Sequence, residues 1–282
     1  MKTEEIFKDI ADFRSYVDGL EADTTLEQLR PSIRSASTSI ASIIGKAVFQ
    51  KLSEDLDLYS YGNEMLKTAV ATSALYRYQI FLSTKKNNTE AKFYKYQHEE
   101  IKEHHIEAFW SAMDELLDWL DENADNVPEW KESQLCKIRE SLPVKNAAEF
   151  DGYYGIDRSS YFYSKVLFLL RTIWSENIRP VLGKLVPDEA LMERCKRILC
   201  YWTMAEAVLK FDVTELPRSI RYDFNHEYTK GSDPQTRDRL HADLMSKVNS
   251  WMKMVESAVK SATGGNVSGG AVNAEENKFF YM

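Results

Sequence analysis

Apolar residues recur along this chain at the spacing of a helix rather than at the alternation of a strand. Ile33, Ala36, Ile40 and Ile43 line one face of a predicted helix, and Val166, Leu170, Ile173, Trp174 and Ile178 line another. Similar stripes run from Leu66 to Ile80 and through Leu191, Cys195, Ile198, Leu199, Trp202 and Leu209. Two long helices are expected at 91–122 and 234–262; the first carries Ile101, His105, Ala108, Ala112, Leu116 and Leu120 at helical period. Only Ile220-Arg221-Tyr222-Asp223-Phe224 alternates with period two, which predicts a strand, paired in a small β-hairpin with Val213 to Leu216. Pro31 suits a first helical turn, Asn63 and Asp188 suit N-caps, and Pro180 disturbs a last turn.

The stripes occur twice in the same order. Ile40-Ala-Ser-Ile-Ile-Gly45-Lys46 and Ile178-Arg-Pro-Val-Leu-Gly183-Lys184 share one pattern, and their glycines are 138 residues apart. Phe13-Arg-Ser-Tyr16 and Phe150-Asp-Gly-Tyr153 are 137 apart. Each marker is followed by a helix, a polar connection and a longer helix. This predicts a mainly α protein of two duplicated helical-bundle repeats, 1–122 and 150–262. A linker at 123–149 holds Pro128 and Pro143, and a flexible tail at 263–282 ends in Phe279-Phe280-Tyr281. Gly45 and Gly183 read as helix stops, because no further glycines surround either to cradle a phosphate.

Composition narrows the function. Glycine (11) and proline (7) are scarce in 282 residues, which favours long uninterrupted helices. The acids in MKTEEIFKDIADF oppose a secretion signal, and no apolar run reaches the roughly 18 residues of a membrane span. Cys136, Cys195 and Cys200 form no CxxC and are expected as reduced thiols. A net charge of −8 argues against gripping phosphates, though not against letting DNA pass without sticking.

No catalytic constellation emerges. His98, His104 and His105 lie near Glu100, but neither Glu-x-x-His nor His-Glu-x-x-His occurs, so no metal site is assigned. Asp114, Asp118, Asp121 and Glu122 share a helical face, the best lead for magnesium and a diphosphate; lacking DDxxD, they read as a solvated acidic face. Lys85-Lys86 and Arg194-Cys195-Lys196-Arg197 are too short to resemble a nucleic-acid groove. No cofactor and no enzymatic activity are expected.

Two stretches carry a family resemblance: Ala147-Ala-Glu-Phe150-Asp-Gly-Tyr-Tyr154-Gly-Ile156-Asp-Arg158-Ser-Ser160, and Asn177-Ile-Arg-Pro-Val-Leu-Gly183. They resemble an uncharacterised family from phages and prophages of Bacteroidetes, and Ile33 to Gly45 and Phe109-Trp110 resemble its first half. Each half is also similar in plan to the helical head–tail connector adaptors of tailed phages, which are often shorter. That resemblance implies a structural virion protein of the neck, assembled in the host cytoplasm. It would form a ring, usually a dodecamer, between the portal and tail proteins, with DNA passing through. Partner contacts are then expected at Ile220, Arg221, Tyr222 and Phe224 of the hairpin and at Phe279, Phe280 and Tyr281 of the tail. The alternatives are a helical protein-interaction module unconnected with virions and a metal-dependent enzyme built on the Asp114 to Glu122 acids.

Overall fold

The computed structural model describes residues 6–54, 59–86, 94–221 and 234–263, with the backbone alone at 81–102 and 234–235. In chain order the helices are α1 (Ile10–Arg14), α2 (Leu26–Ile44), α3 (Lys46–Ser53), α4 (Ser60–Lys86) and α5 (Tyr94–Glu122). There follow α6 (Pro128–Lys131), α7 (Gln134–Glu140), α8 (Ala147–Asp151), α9 (Ser160–Ile173) and α10 (Arg179–Leu182). The last two are α11 (Glu189–Lys210) and α12 (Pro234–Thr263).

Local chemistry sets the ends of these elements. The Thr25 hydroxyl accepts from Gln28 N–H (3.4 Å) while Gln28 Oε1 accepts from Thr25 N–H (2.9 Å), a reciprocal cap that starts α2. The helix therefore begins a turn earlier than Pro31 suggests, and Pro31 sits inside it. Gly45 (φ 95°) stops α2 and Gly183 (φ 58°) stops α10, each in the left-handed region that favours glycine. Asp188 caps α11 by accepting from Leu191 N–H (2.8 Å). Asn63 is not a cap: it lies inside α4, buried, and its Nδ2 donates to the Leu52 carbonyl (2.6 Å). Ahead of Pro180, which has no N–H to give, the chain from Trp174 to Ile178 opens into a π-helical turn.

The longer helices pack in two sets. α4 packs along α5, and α2 lies against α4; α11 packs along α12, and α9 lies against α11. At Gly62 the first pair packs tightly, since a Cβ there would stand 2.5 Å from the Trp119 ring. Arg77 of α4 donates to the Ser35 and Ser39 hydroxyls of α2 (2.7 and 3.0 Å). One continuous apolar core runs through both halves.

Two expectations need correction. No strand occurs among the described residues, so the β-hairpin is not supported. Val213–Glu215 is a 3₁₀ turn because Asp212 and Glu215 cap each other, and 218–221 is helical, with Arg221 N–H donating to the Pro217 carbonyl (2.9 Å). Local capping sets 213–215 as a turn, and Tyr222, Asp223 and Phe224 of the period-two pattern lie outside the described residues. The linker at 123–149 carries α6, α7 and the start of α8, and buries Val127, Trp130, Leu142 and Val144. It is core, not tether.

Candidate functional site

The acids of α5 are the first place to look for chemistry. Asp114, Asp118 and Asp121 follow one another at helical spacing and share the face expected of them. That face meets the start of α9. One Asp114 oxygen accepts from Tyr161 N–H (2.7 Å) and from the Ser159 hydroxyl (2.8 Å). Ser159 itself caps α9 by accepting from Phe162 N–H (3.0 Å), and Ser160 donates to Asp118 (2.5 Å). A turn at 152–159 delivers these serines. Asp157 and Arg158 take positive φ there, and the Asp151 carboxylate accepts from Ile156 and Arg158 N–H groups.

Asp121 is equally committed. Both its oxygens accept from the Arg139 guanidinium (2.7 and 2.8 Å), and Trp130 Nε1 donates to one of them (2.8 Å). Asp118, Asp121 and Glu122 are exposed, as a solvated face would be, but Asp114, Asp118 and Asp121 also form a seam, in which α5 holds α9 at one level and α6–α7 at another. Sequence reading put the acids on one face but missed their partners, which lie up to 47 residues away.

Burial raises the Asp114 pKa from its ordinary 3.8 to about 6, against the Tyr161 and Ser159 donors that lower it. The folded chain therefore holds this proton more tightly than the unfolded chain. The linked stability is complete below pH about 3.8 and is lost as pH rises through about 6. Asp114→Asn keeps an oxygen for Tyr161 and removes the titration. The wild-type unfolding free energy, relative to this variant, is expected to fall by about 1–2 kcal/mol between those pH values, discounted for partial exposure. Urea titrations at a series of pH values check this; a pH-independent difference refutes it.

The seam continues above Asp114 as an aromatic cluster. Tyr161 stands edge-on to Trp110 (5.0 Å) and to Phe109 (5.2 Å), and the Arg221 guanidinium lies 5.4 Å from the Trp110 ring centroid. Arg221 Nε is buried without a hydrogen-bond partner among the described residues. Burial draws the Arg221 pKa below its ordinary value, with Glu107 and Glu103 opposing. Arg218 pairs with Glu107 (3.2 Å) and fastens this segment to α5. Ile220 and Arg221, expected at a partner contact, are 8% and 7% exposed and pack inside the chain. Tyr222, Phe224, Phe279, Phe280 and Tyr281 lie outside the described residues. Of the repeat markers, Ile40 and Ile178 are fully buried, one turn or so ahead of Gly45 and Gly183.

An open groove of about 670 Å³ lies between the end of α5, α6 and α7, lined by Asp121, Trp130, Lys131, Cys136, Arg139 and Lys145 among others. Its charges are tied down: Asp121 to Arg139, Lys131 to Asp125, and Lys145 Nζ to the Glu140 carbonyl. His105 is 4% exposed and its ring nitrogen meets Gln79 Nε2 at 3.2 Å, while His98 falls where only the backbone is described. Among the described residues no three His, Cys, Asp or Glu side chains converge as metal ligands would. Cys136, Cys195 and Cys200 are buried free thiols, and burial pushes Cys195 up to about 11, far from a reactive thiolate. No described helix is long and apolar enough to cross a membrane.

The model of a family of unknown function, DUF6712, matches residues 40–140 and 174–263, more than half of the chain. The chain belongs to the DUF6712 family. The first DUF6712 stretch opens on Ile40, and the second opens four residues ahead of Ile178. No curated protein and no solved structure matches the chain.

Proposed function

We propose that this chain is a structural protein of the virion neck, a head–tail adaptor made of a duplicated helical unit that assembles into a ring between portal and tail. The observation that carries this reading is a pair of equivalent internal ties. Asp9 caps α1 and Asn146 caps α8, each accepting from backbone N–H groups of its own first turn. Lys8 N–H donates to Asp12 (2.8 Å), and Lys145 N–H donates to Glu149 (2.7 Å). Those acids then reach a lysine of a long helix further along the chain: Asp12 to Lys67 of α4 (3.8 Å) and Glu149 to Lys196 of α11 (2.7 Å). Phe13 and Phe150, one position on, are both fully buried.

Caps, acid and buried ring recur 137 residues apart in helices α1 and α8, and the lysines those acids reach, Lys67 and Lys196, are 129 apart. Independent origin is a poor account of four matched details. A rigid block with two like halves offers repeated side surfaces, which suits a ring subunit. Asp114, Asp118 and Asp121 of α5 tie that helix to α9 and to α6–α7, which supports a scaffold role for them. The resemblance of 147–160 and 177–183 to Bacteroidetes phage proteins supplies the virion setting, the portal and tail partners, and DNA passing without specific contact.

Imaging the purified chain with any portal protein encoded in the same genome tests the reading. Closed rings of this chain seated on the portal are the expected result. A chain that leaves the portal bare, and stays monomeric with it in native mass spectrometry, refutes the adaptor role.

A further inference from the structure

The formal charge of this chain is unevenly divided. Residues 1–122 carry 22 acidic and 14 basic side chains, a net −8, whereas 150–262 carry 15 and 17, a net +2. Each half also has an outer face on which the charge gathers around exposed apolar groups.

In the second half this face lies along α11 and α12. Arg194, Arg197 and Tyr201 follow at helical spacing on α11, and Lys247, Trp251 and Met254 do so on α12. They are brought together. Tyr201 stands edge-on to Trp251 (4.9 Å), the Arg197 guanidinium lies 6.0 Å from the Trp251 centroid, and Lys247 Nζ lies 5.7 Å from that of Tyr201. Met254 is 52% exposed. Glu193, the neighbouring acid on α11, is engaged by the Tyr153 hydroxyl (2.5 Å) and by Lys196 (3.7 Å). Cation and aromatic together make a surface ready for an acidic partner with an apolar centre.

In the first half the matching face lies along α4 and α5. Tyr61 is 48% exposed and its hydroxyl donates to Glu115 (3.3 Å). Glu64, three residues on along α4, and Glu122, two turns on from Glu115 along α5, are exposed at helical spacing from that pair. Glu115 and burial, then these two acids, raise the Tyr61 pKa. Trp119 lies beside it, against Gly62.

We propose that copies of this chain bind one another head to tail, the basic Arg194–Arg197–Trp251 face of one seating on the acidic Tyr61–Glu115–Glu122 face of the next. Charge complementarity between the halves is the ground for choosing a second copy as occupant. Because the two faces belong to different halves, every bound copy leaves one of each free, so the contact propagates and can close into a ring. This rests on the adaptor reading and names the surfaces it needs.

The test uses the full chain in native mass spectrometry and light scattering, at low and at high salt. Wild type is expected to associate and to weaken as salt rises. Arg194→Glu with Arg197→Glu, and separately Glu115→Lys with Glu122→Lys, should each weaken association at least tenfold. Mixing the two variants, or joining all four changes in one chain, should restore it. Unchanged helical ellipticity and melting show that the variants fold; if the glutamates unfold the chain, Arg194→Gln with Arg197→Gln replaces them.

Rings unaffected by either reversal overturn the assignment of faces and leave the adaptor reading standing. A wild type that is monomeric alone at every concentration overturns the direct contact, even where rings form on a portal. Fluorescence anisotropy with duplex DNA separates the other occupant of a basic aromatic surface. Binding that is lost in the arginine variant while assembly is unchanged gives that face to nucleic acid and refutes the proposal.

Discussion

Phe150→Ala is expected to lower the unfolding free energy by about 3–5 kcal/mol, and Phe13→Ala by a comparable amount. Both rings are fully buried in five-residue helices too short to be stable alone. Each small helix is held by its ring and by the acid beside it, so truncation removes the main anchor and leaves a cavity. Phe150 packs near Tyr163 (6.5 Å between centroids), and Phe13 stands edge-on to Phe7 (5.0 Å). A loss of this size is a large share of the roughly 5–15 kcal/mol that a folded domain commands. Urea denaturation followed by circular dichroism measures it. If the units are equivalent, the two losses agree within about 1–2 kcal/mol, the ordinary scatter of such substitutions. A cost below about 1 kcal/mol at either site would remove that ring from the anchors assigned to the repeat.

The helices were legible because their information is local. The stripe from Ile33 to Ile43 and the glycines at 45 and 183 need only their own turns to be understood. The long helices expected at 91–122 and 234–262 lie within a few residues of Tyr94–Glu122 and Pro234–Thr263. Where reading failed, it failed in two ways. Some local signals were present but overshadowed: Thr25-x-x-Gln28 and Asp212-x-x-Glu215 are capping boxes. The second makes a turn of 213–215, which the hairpin required as a strand. Other facts depend on residues distant in sequence. Asp114 looks like any exposed helical acid until Ser159 and Tyr161 arrive from across the seam, and Arg221 looks like a surface arginine until Trp110 is beneath it. Side-chain periodicity states which way a residue faces, not whether water or another helix is there to meet it.

The segment at 123–149 is the clearest case, and Trp130→Ala puts it to the test. A tether between two independent bundles would tolerate this change within about 0.5 kcal/mol, as exposed positions do. The structure predicts a loss of about 3–5 kcal/mol. Trp130 is 1% exposed, and its indole N–H serves the same Asp121 that grips Arg139. Its neighbours reach into both halves. Glu129 pairs with Lys51 of α3 (2.9 Å) and the Tyr59 hydroxyl donates to the Asn126 carbonyl (3.3 Å) on one side. On the other, the Tyr163 hydroxyl of α9 donates to the Val144 carbonyl (2.8 Å). Removing the indole therefore loosens a wedge shared by the halves, so both should unfold together in one transition in wild type and variant alike, at lower denaturant in the variant. Tryptophan fluorescence and far-ultraviolet ellipticity recorded on the same urea series decide it. Two separated transitions, with Trp130→Ala shifting only one, would make the halves separate folding units and return 123–149 to the status of a linker.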